Sequence, residues 1–163
     1  MCIKTTLLAA FCVAASIGAY AQTSDAEAEA IVNLLGVQNK EAIGKLVSVS
    51  GKDSVAFWKI YDEYQAGNKA TAKNRMKLYE KTALSYNNMT PAIADSLAGQ
   101  YFGNRMEQEK TLETYYKKIK AATNPVVAFE FYQAEVYLLT QIRAQIMNQI
   151  PTYGQLRAAA KNK

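Results

Sequence analysis

Apolar residues in this chain recur at steps of three and four, and prolines punctuate the rows they make. Towards the C-terminus, Phe129, Tyr132, Val136, Leu139, Arg143, Ile146 and Ile150 form one such row, which predicts a helix with a single buried stripe. Only Arg143 interrupts it, and Ile142 alongside fills the gap. Ile93, Leu97 and Tyr101, then a polar centre, then Leu112, Tyr115 or Tyr116, and Ile119 mark a second helix. A third is apolar at its two ends, with Val55, Trp58 and Tyr61 first and Met76, Tyr79, Ala83 and Tyr86 last. Its centre, Gln65 to Asn74, has little to bury, so either a loop breaks it near Gly67 or a long helix crosses open solvent there. Ile31, Leu34, Leu35, Val37, Ile43, Leu46 and Val47 outline the first helix, weakened by Gly36 and Gly44.

The boundaries carry their own signals. Thr90-Pro91 and Asn124-Pro125 each place an N-cap residue before proline at the first helical position. Pro151, followed by Tyr153-Gly154, ends the last helix near Ile150. Ser50-Gly51-Lys52-Asp53 has the spacing of a capping box. The expected helices are therefore 25–47, 52–86, 91–122 and 125–150. No run of alternating β-branched residues is long enough for a sheet. The fold class is all-α, a four-helix hairpin-like bundle or an open cradle, and a homodimer is left open. Residues 155–163, rich in alanine and lysine, are expected as a flexible tail behind a helical domain spanning 22–154.

The N-terminus changes the picture of where this domain works. Lys4 precedes an uncharged run from Thr5 to Tyr20, which ends in Ala19-Tyr20-Ala21. Those features match a signal peptide over 1–21, cut before Gln22, and predict a periplasmic or secreted protein. The run is short of the roughly 20 apolar residues a span needs, and Phe11 is too bulky to precede a lipid-carrying Cys12. The mature chain is expected not to span a membrane.

Removing that segment takes away both cysteines, Cys2 and Cys12, and the chain has no histidine. Zinc and haem sites, catalytic triads and Cys-His nucleophiles need those side chains. No catalytic residue, metal or cofactor is therefore expected, and carboxylates are the only plausible chemistry left. Glu109 and Glu113 stand one turn apart, yet Lys110, Lys117 and Lys118 are interleaved with them. A di-iron bundle would need Glu-x-x-His on two helices. Glu130 and Glu135 read as surface or inter-helix groups.

Charge and aromatics supply the remaining candidates. Lys69, Lys73, Arg75, Lys77 and Lys81 meet only Glu80, which makes the middle of the chain basic and suits an anionic or polypeptide partner. No glycine-rich or aromatic signature of nucleic-acid binding accompanies it. Phe57, Trp58, Tyr61 and Tyr64 put four aromatics, including the only tryptophan, within two helical turns. Their expected role is a structural core seed, because aromatics bury about 150–250 Å² each.

Three stretches resemble a known family. Ser54 to Gln65 resembles the "FWPxYxxY" helix start of the Spy/CpxP-like group, and Tyr86-Asn87-Asn88-Met89-Thr90 resembles the link into their third helix. Phe131-Tyr132-Gln133-Ala134-Glu135 with Gln149-Ile150-Pro151 resembles their closing helix. The group's Leu-Thr-x-x-Gln motif is replaced by Val49-Ser50-Gly51-Lys52-Asp53, and Lys59 stands where its closest relatives carry proline. The resemblance implies an exported, ATP-independent chaperone or envelope-stress protein that binds unfolded or envelope polypeptides, often as a dimer. On that expectation Lys69, Lys73, Arg75 and Lys77 are the candidate client-binding residues. The alternative is a structural or regulatory subunit docking on one specific envelope protein.

Overall fold

The computed structural model describes residues 25–150 and 152–161, so the expected leader peptide lies outside the described residues. The chain is all-α: α1 spans Asp25–Leu46, α2 Lys52–Ser85, α3 Pro91–Ala122, α4 Pro125–Gln149 and α5 Tyr153–Lys161, with a 3₁₀ turn at Tyr86–Asn88 after α2. The four long helices end within one residue of where the caps and prolines place them.

Two of the expected caps form. The Thr90 hydroxyl accepts from the Ile93 N–H at 3.2 Å, and Asn124 Oδ1 accepts from the N–H groups of Val126 and Val127 at 2.9 and 3.1 Å. Pro91 and Pro125 follow at positions whose N–H would have no helical partner. The capping box expected at Ser50 does not form. Gly51 is the cap instead, at φ 61° and ψ −139°, and no side chain bonds to the helix start. That region is open to glycine almost alone, and it lets the chain turn sharply from α1 into α2.

Consecutive helices run antiparallel, and α1 packs on α4 as well as on α2, so the four long helices close into a ring. The core lies where all four meet. Ile43 and Val47 of α1, Phe57, Tyr61 and Tyr64 of α2, Leu112 and Ile119 of α3, and Val127, Ala128, Phe131, Ala134 and Leu139 of α4 build it. Helices α2 and α3, of 34 and 32 residues, are longer than α1 and α4, of 22 and 25. At about 1.5 Å per residue the α2–α3 hairpin outruns its neighbours by roughly 10–18 Å.

The stripe read on α4 holds at Leu139 and, half-buried, at Val136, but its first part is rotated in the structure. Phe129 and Tyr132 are exposed, whereas the buried residues are Val127, Ala128, Phe131, Ala134, Glu135 and Leu139. Bulk drew the sequence reading to the wrong side. Ala128 and Ala134 face inward because small side chains let helices approach closely, and Glu135 is admitted because its oxygens are satisfied there. Likewise Val55 and Leu46 are exposed.

Helix α2 is continuous through Gly67, and its polar centre does not cross open solvent. One face of it, with Tyr64, Asn68 and Leu78 buried, lies against α3 and the interior. A Cβ on Gly67 would meet Tyr115 Oη at 3.5 Å, an ordinary contact. Of the expected tail, residues 155–161 are helical within α5 and exposed, and the Tyr153 ring at the start of α5 stacks on Tyr86 at 5.8 Å.

Candidate functional site

Two places in the fold gather polar groups: the interior between α2, α3 and α4, and a groove along the α2–α3 hairpin. The interior site begins with Tyr61, Tyr64, Asn68 and Arg75, which recur at steps of three, four and seven and so share one face of α2. Facing them, Glu135 is 1% exposed. Its carboxyl accepts from Tyr61 Oη at 3.1 Å and from Tyr64 Oη at 2.8 Å. Gln65 Nε2 donates in turn to Tyr61 Oη at 2.5 Å. Asn68 reaches Tyr64 Oη at 3.5 Å, and its Oδ1 is buried without a partner among the described residues.

Burial governs the electrostatics of this cluster. It pushes the Glu135 carboxyl up to about 7, a rise that the two tyrosine hydrogen bonds oppose. An acid in a low-dielectric site resists ionising unless a cation or several donors compensate it. Here two hydroxyls do so only in part. Burial, then the Glu135 charge, holds the hydroxyls of Tyr61 and Tyr64 far above the ordinary phenol range. Glu135 was expected to be an ordinary surface or inter-helix group. It is inter-helix, but fully buried, and it is the group that sequence reasoning missed. Its spacing carried a signal, since Glu135 stands one turn from both Phe131 and Leu139.

Further along the same interior, Arg75 Nη1 donates to Oε1 of the buried Gln108 of α3 at 3.0 Å. Burial lowers the guanidinium's pKa, and the nearby positive charge of Arg143 adds to that effect.

The groove lies along the seam between α2 and α3. Thr71, Leu78, Lys81, Asn104 and Glu107 are among the residues lining a cavity of about 440 Å³. Lys77 and Lys81 also border a second cavity of about 600 Å³, which runs on past Leu84 and Ile93. Hydrogen bonds between the helices hold its walls, from Lys81 Nζ to Gln100 Oε1 at 3.1 Å and from Asn104 Nδ2 to the Thr71 carbonyl at 3.1 Å.

The candidate client-binding residues therefore divide. Lys69 and Lys77 are exposed and Lys73 half-buried along one side of α2, and Lys77 borders the groove. Arg75 turns the other way, into the bundle. Of the four aromatics, Phe57, Tyr61 and Tyr64 are buried, and Trp58 packs at their margin. The remaining acids are dispersed. Glu107, Glu109 and Glu113 are exposed, and Glu113 is paired with Lys117. Glu130 Oε2 accepts from the Ser48 N–H at 2.7 Å, tying the α1–α2 link to α4. Among the described residues no three metal-ligating side chains cluster, and no helix is long and apolar enough to cross a membrane.

Comparison with protein-family models, with curated proteins and with solved structures gives no match.

Proposed function

We propose that this is an exported, non-enzymatic helical protein that binds polypeptide, as its resemblance to the Spy/CpxP-like group implies. The observation that carries the reading is the open groove along the α2–α3 hairpin, bordered by Lys77 and Lys81. An unfolded segment offers alternating backbone donors and acceptors, apolar side chains and, in many sequences, acidic residues. The groove has a match for each. Leu84 and Ile93 give it apolar surface, and the side-chain amide of the exposed Asn74 combines a donor with an acceptor. The two lysines supply positive charge. Such a lining favours tolerance of sequence over a single fixed ligand.

The test is light scattering from a denatured client during refolding. The protein at equimolar ratio is expected to suppress aggregation, and Lys77→Glu with Lys81→Glu to weaken the suppression several-fold while helical content stays unchanged. Wild-type protein that leaves aggregation untouched for every client would sink the proposal.

A further inference from the structure

Helix α4 buries one face and leaves the opposite one bare. Its charged residues are Glu130, Glu135 and Arg143, and none of them belongs to the exposed side. Glu135 is buried, Arg143 is half-buried, and the half-buried Glu130 accepts from the Ser48 N–H at 2.7 Å. The exposed residues Val126, Phe129, Gln133, Tyr137, Thr140, Ala144 and Met147 follow one another at steps of three and four. They therefore form a single stripe along about 30 Å of helix. The exposed sides of α2 and α3, by contrast, are charged, with Lys69 and Lys77 on the first and Glu109, Lys110 and Lys117 on the second. A helix side that meets only water is ordinarily polar and charged, yet Val126, Phe129, Tyr137 and Met147 each keep more than half of their surface exposed.

The stripe fits a second copy of itself. Those four side chains present on the order of 400 Å² of apolar surface, near the most that a lone monomer shows. With the exposed Tyr132 and the polar residues between them, the face approaches the roughly 800 Å² per partner of a stable dimer. Carrying no charge, it strands none when it is covered by an equally uncharged surface, and α4 itself supplies one. A twofold axis crossing the helix between Val136 and Tyr137 reverses the stripe onto itself, since its members lie in pairs equidistant from that point. Val126 would lie against Met147 of the partner subunit, Phe129 against Ala144 of the partner subunit and Gln133 against Thr140 of the partner subunit, with both Tyr137 rings at the axis. Bulk then meets a small side chain, an amide meets a hydroxyl, and no like charges face each other. We infer that the Val126–Met147 face of α4 is the interface of an antiparallel, twofold homodimer of this chain. This inference is independent of the groove.

Sedimentation equilibrium of the protein over a concentration series tests it. A reversible monomer–dimer equilibrium is expected in the wild type. Tyr137→Glu sets two carboxylates against each other at the axis and should weaken the dimer about tenfold or more. Phe102→Glu, at an exposed position of α3 outside this face, should dimerise like the wild type. Both positions are exposed, so the circular dichroism spectrum should not change. Phe129→Glu should weaken the dimer as well, and adding Ala144→Lys to the same chain should restore it. Those two positions are about 22 Å apart within one helix and adjacent only across the axis. A wild type that stays monomeric overturns the interface, and so does a dimer that Tyr137→Glu leaves intact or that Phe102→Glu weakens equally. Failure of Ala144→Lys to rescue Phe129→Glu overturns the antiparallel register.

Discussion

Raising the pH from 5 to 8 is expected to lower the thermal midpoint of this protein, and Glu135→Gln to remove most of that dependence. The buried carboxyl of Glu135 titrates near 7 in the folded chain, against an ordinary value of 4.5. Below the ordinary value both states are protonated and the full stability is present. Between the two values the unfolded chain ionises while the folded one keeps its proton, so stability falls as the pH climbs through 7 and then levels off. The total loss is on the order of 3 kcal/mol. The tyrosines facing Glu135 stay protonated across this window, because burial holds both hydroxyls up. Glu113, lowered by its hydrogen bond and charge pairing with Lys117, acts with opposite sign and only in acid. The amide of Glu135→Gln keeps an acceptor for the tyrosines and has no charge to bury. That variant should match the wild type at pH 5 and exceed it at pH 8. A wild-type melting profile that is flat between those values would contradict the assignment. In a chain without histidine, one carboxyl thus supplies a titration near neutrality.

The second large effect is expected at Phe131, whose ring lies edge-on to Phe57, Tyr61 and Tyr64 at centroid distances of 6.5, 6.3 and 5.3 Å. It is fully buried. Phe131→Ala should cost about 3–5 kcal/mol in urea unfolding. Phe102→Ala removes the same atoms from a ring that is 68% exposed on α3, and should stay within about 0.5 kcal/mol. Comparable costs at the two positions would mean that the core is not where α2 and α4 meet.

The contrast between these phenylalanines shows what was legible. Helix ends were, because Thr90-Pro91 and Asn124-Pro125 signal locally, through a side-chain acceptor and a ring that fixes φ. Faces were less so. Phe129 looks like core by size and lies outside, while Glu135 looks like surface by charge and lies inside. For Glu135 the outcome depends on partners 70 or so residues away, Tyr61 and Tyr64; its spacing to Phe131 and Leu139 hints at the inward face but does not name them. Gly67 did not break α2: Asn68 beside it is buried towards the interior, and the helix runs on through the glycine. Arg75 was grouped with Lys69, Lys73 and Lys77 by proximity in sequence, although two residues of separation turn a helical side chain to nearly the opposite face.

Trp58 gives the aromatic core a spectroscopic consequence. The only tryptophan of the chain stands at the α1–α2 seam, edge-on to Phe57 and Tyr61 at 5.0 and 5.7 Å, with Lys40 Nζ 5.6 Å from its ring. Gly44 of α1 passes so close that a Cβ there would lie 3.7 Å from the indole. Its emission therefore reads the undocking of α1, whereas the hairpin tip beyond Leu78 melts unseen by it and registers only in far-ultraviolet dichroism. Loss of ellipticity ahead of the red shift would separate fraying of the tip from collapse of the four-helix core.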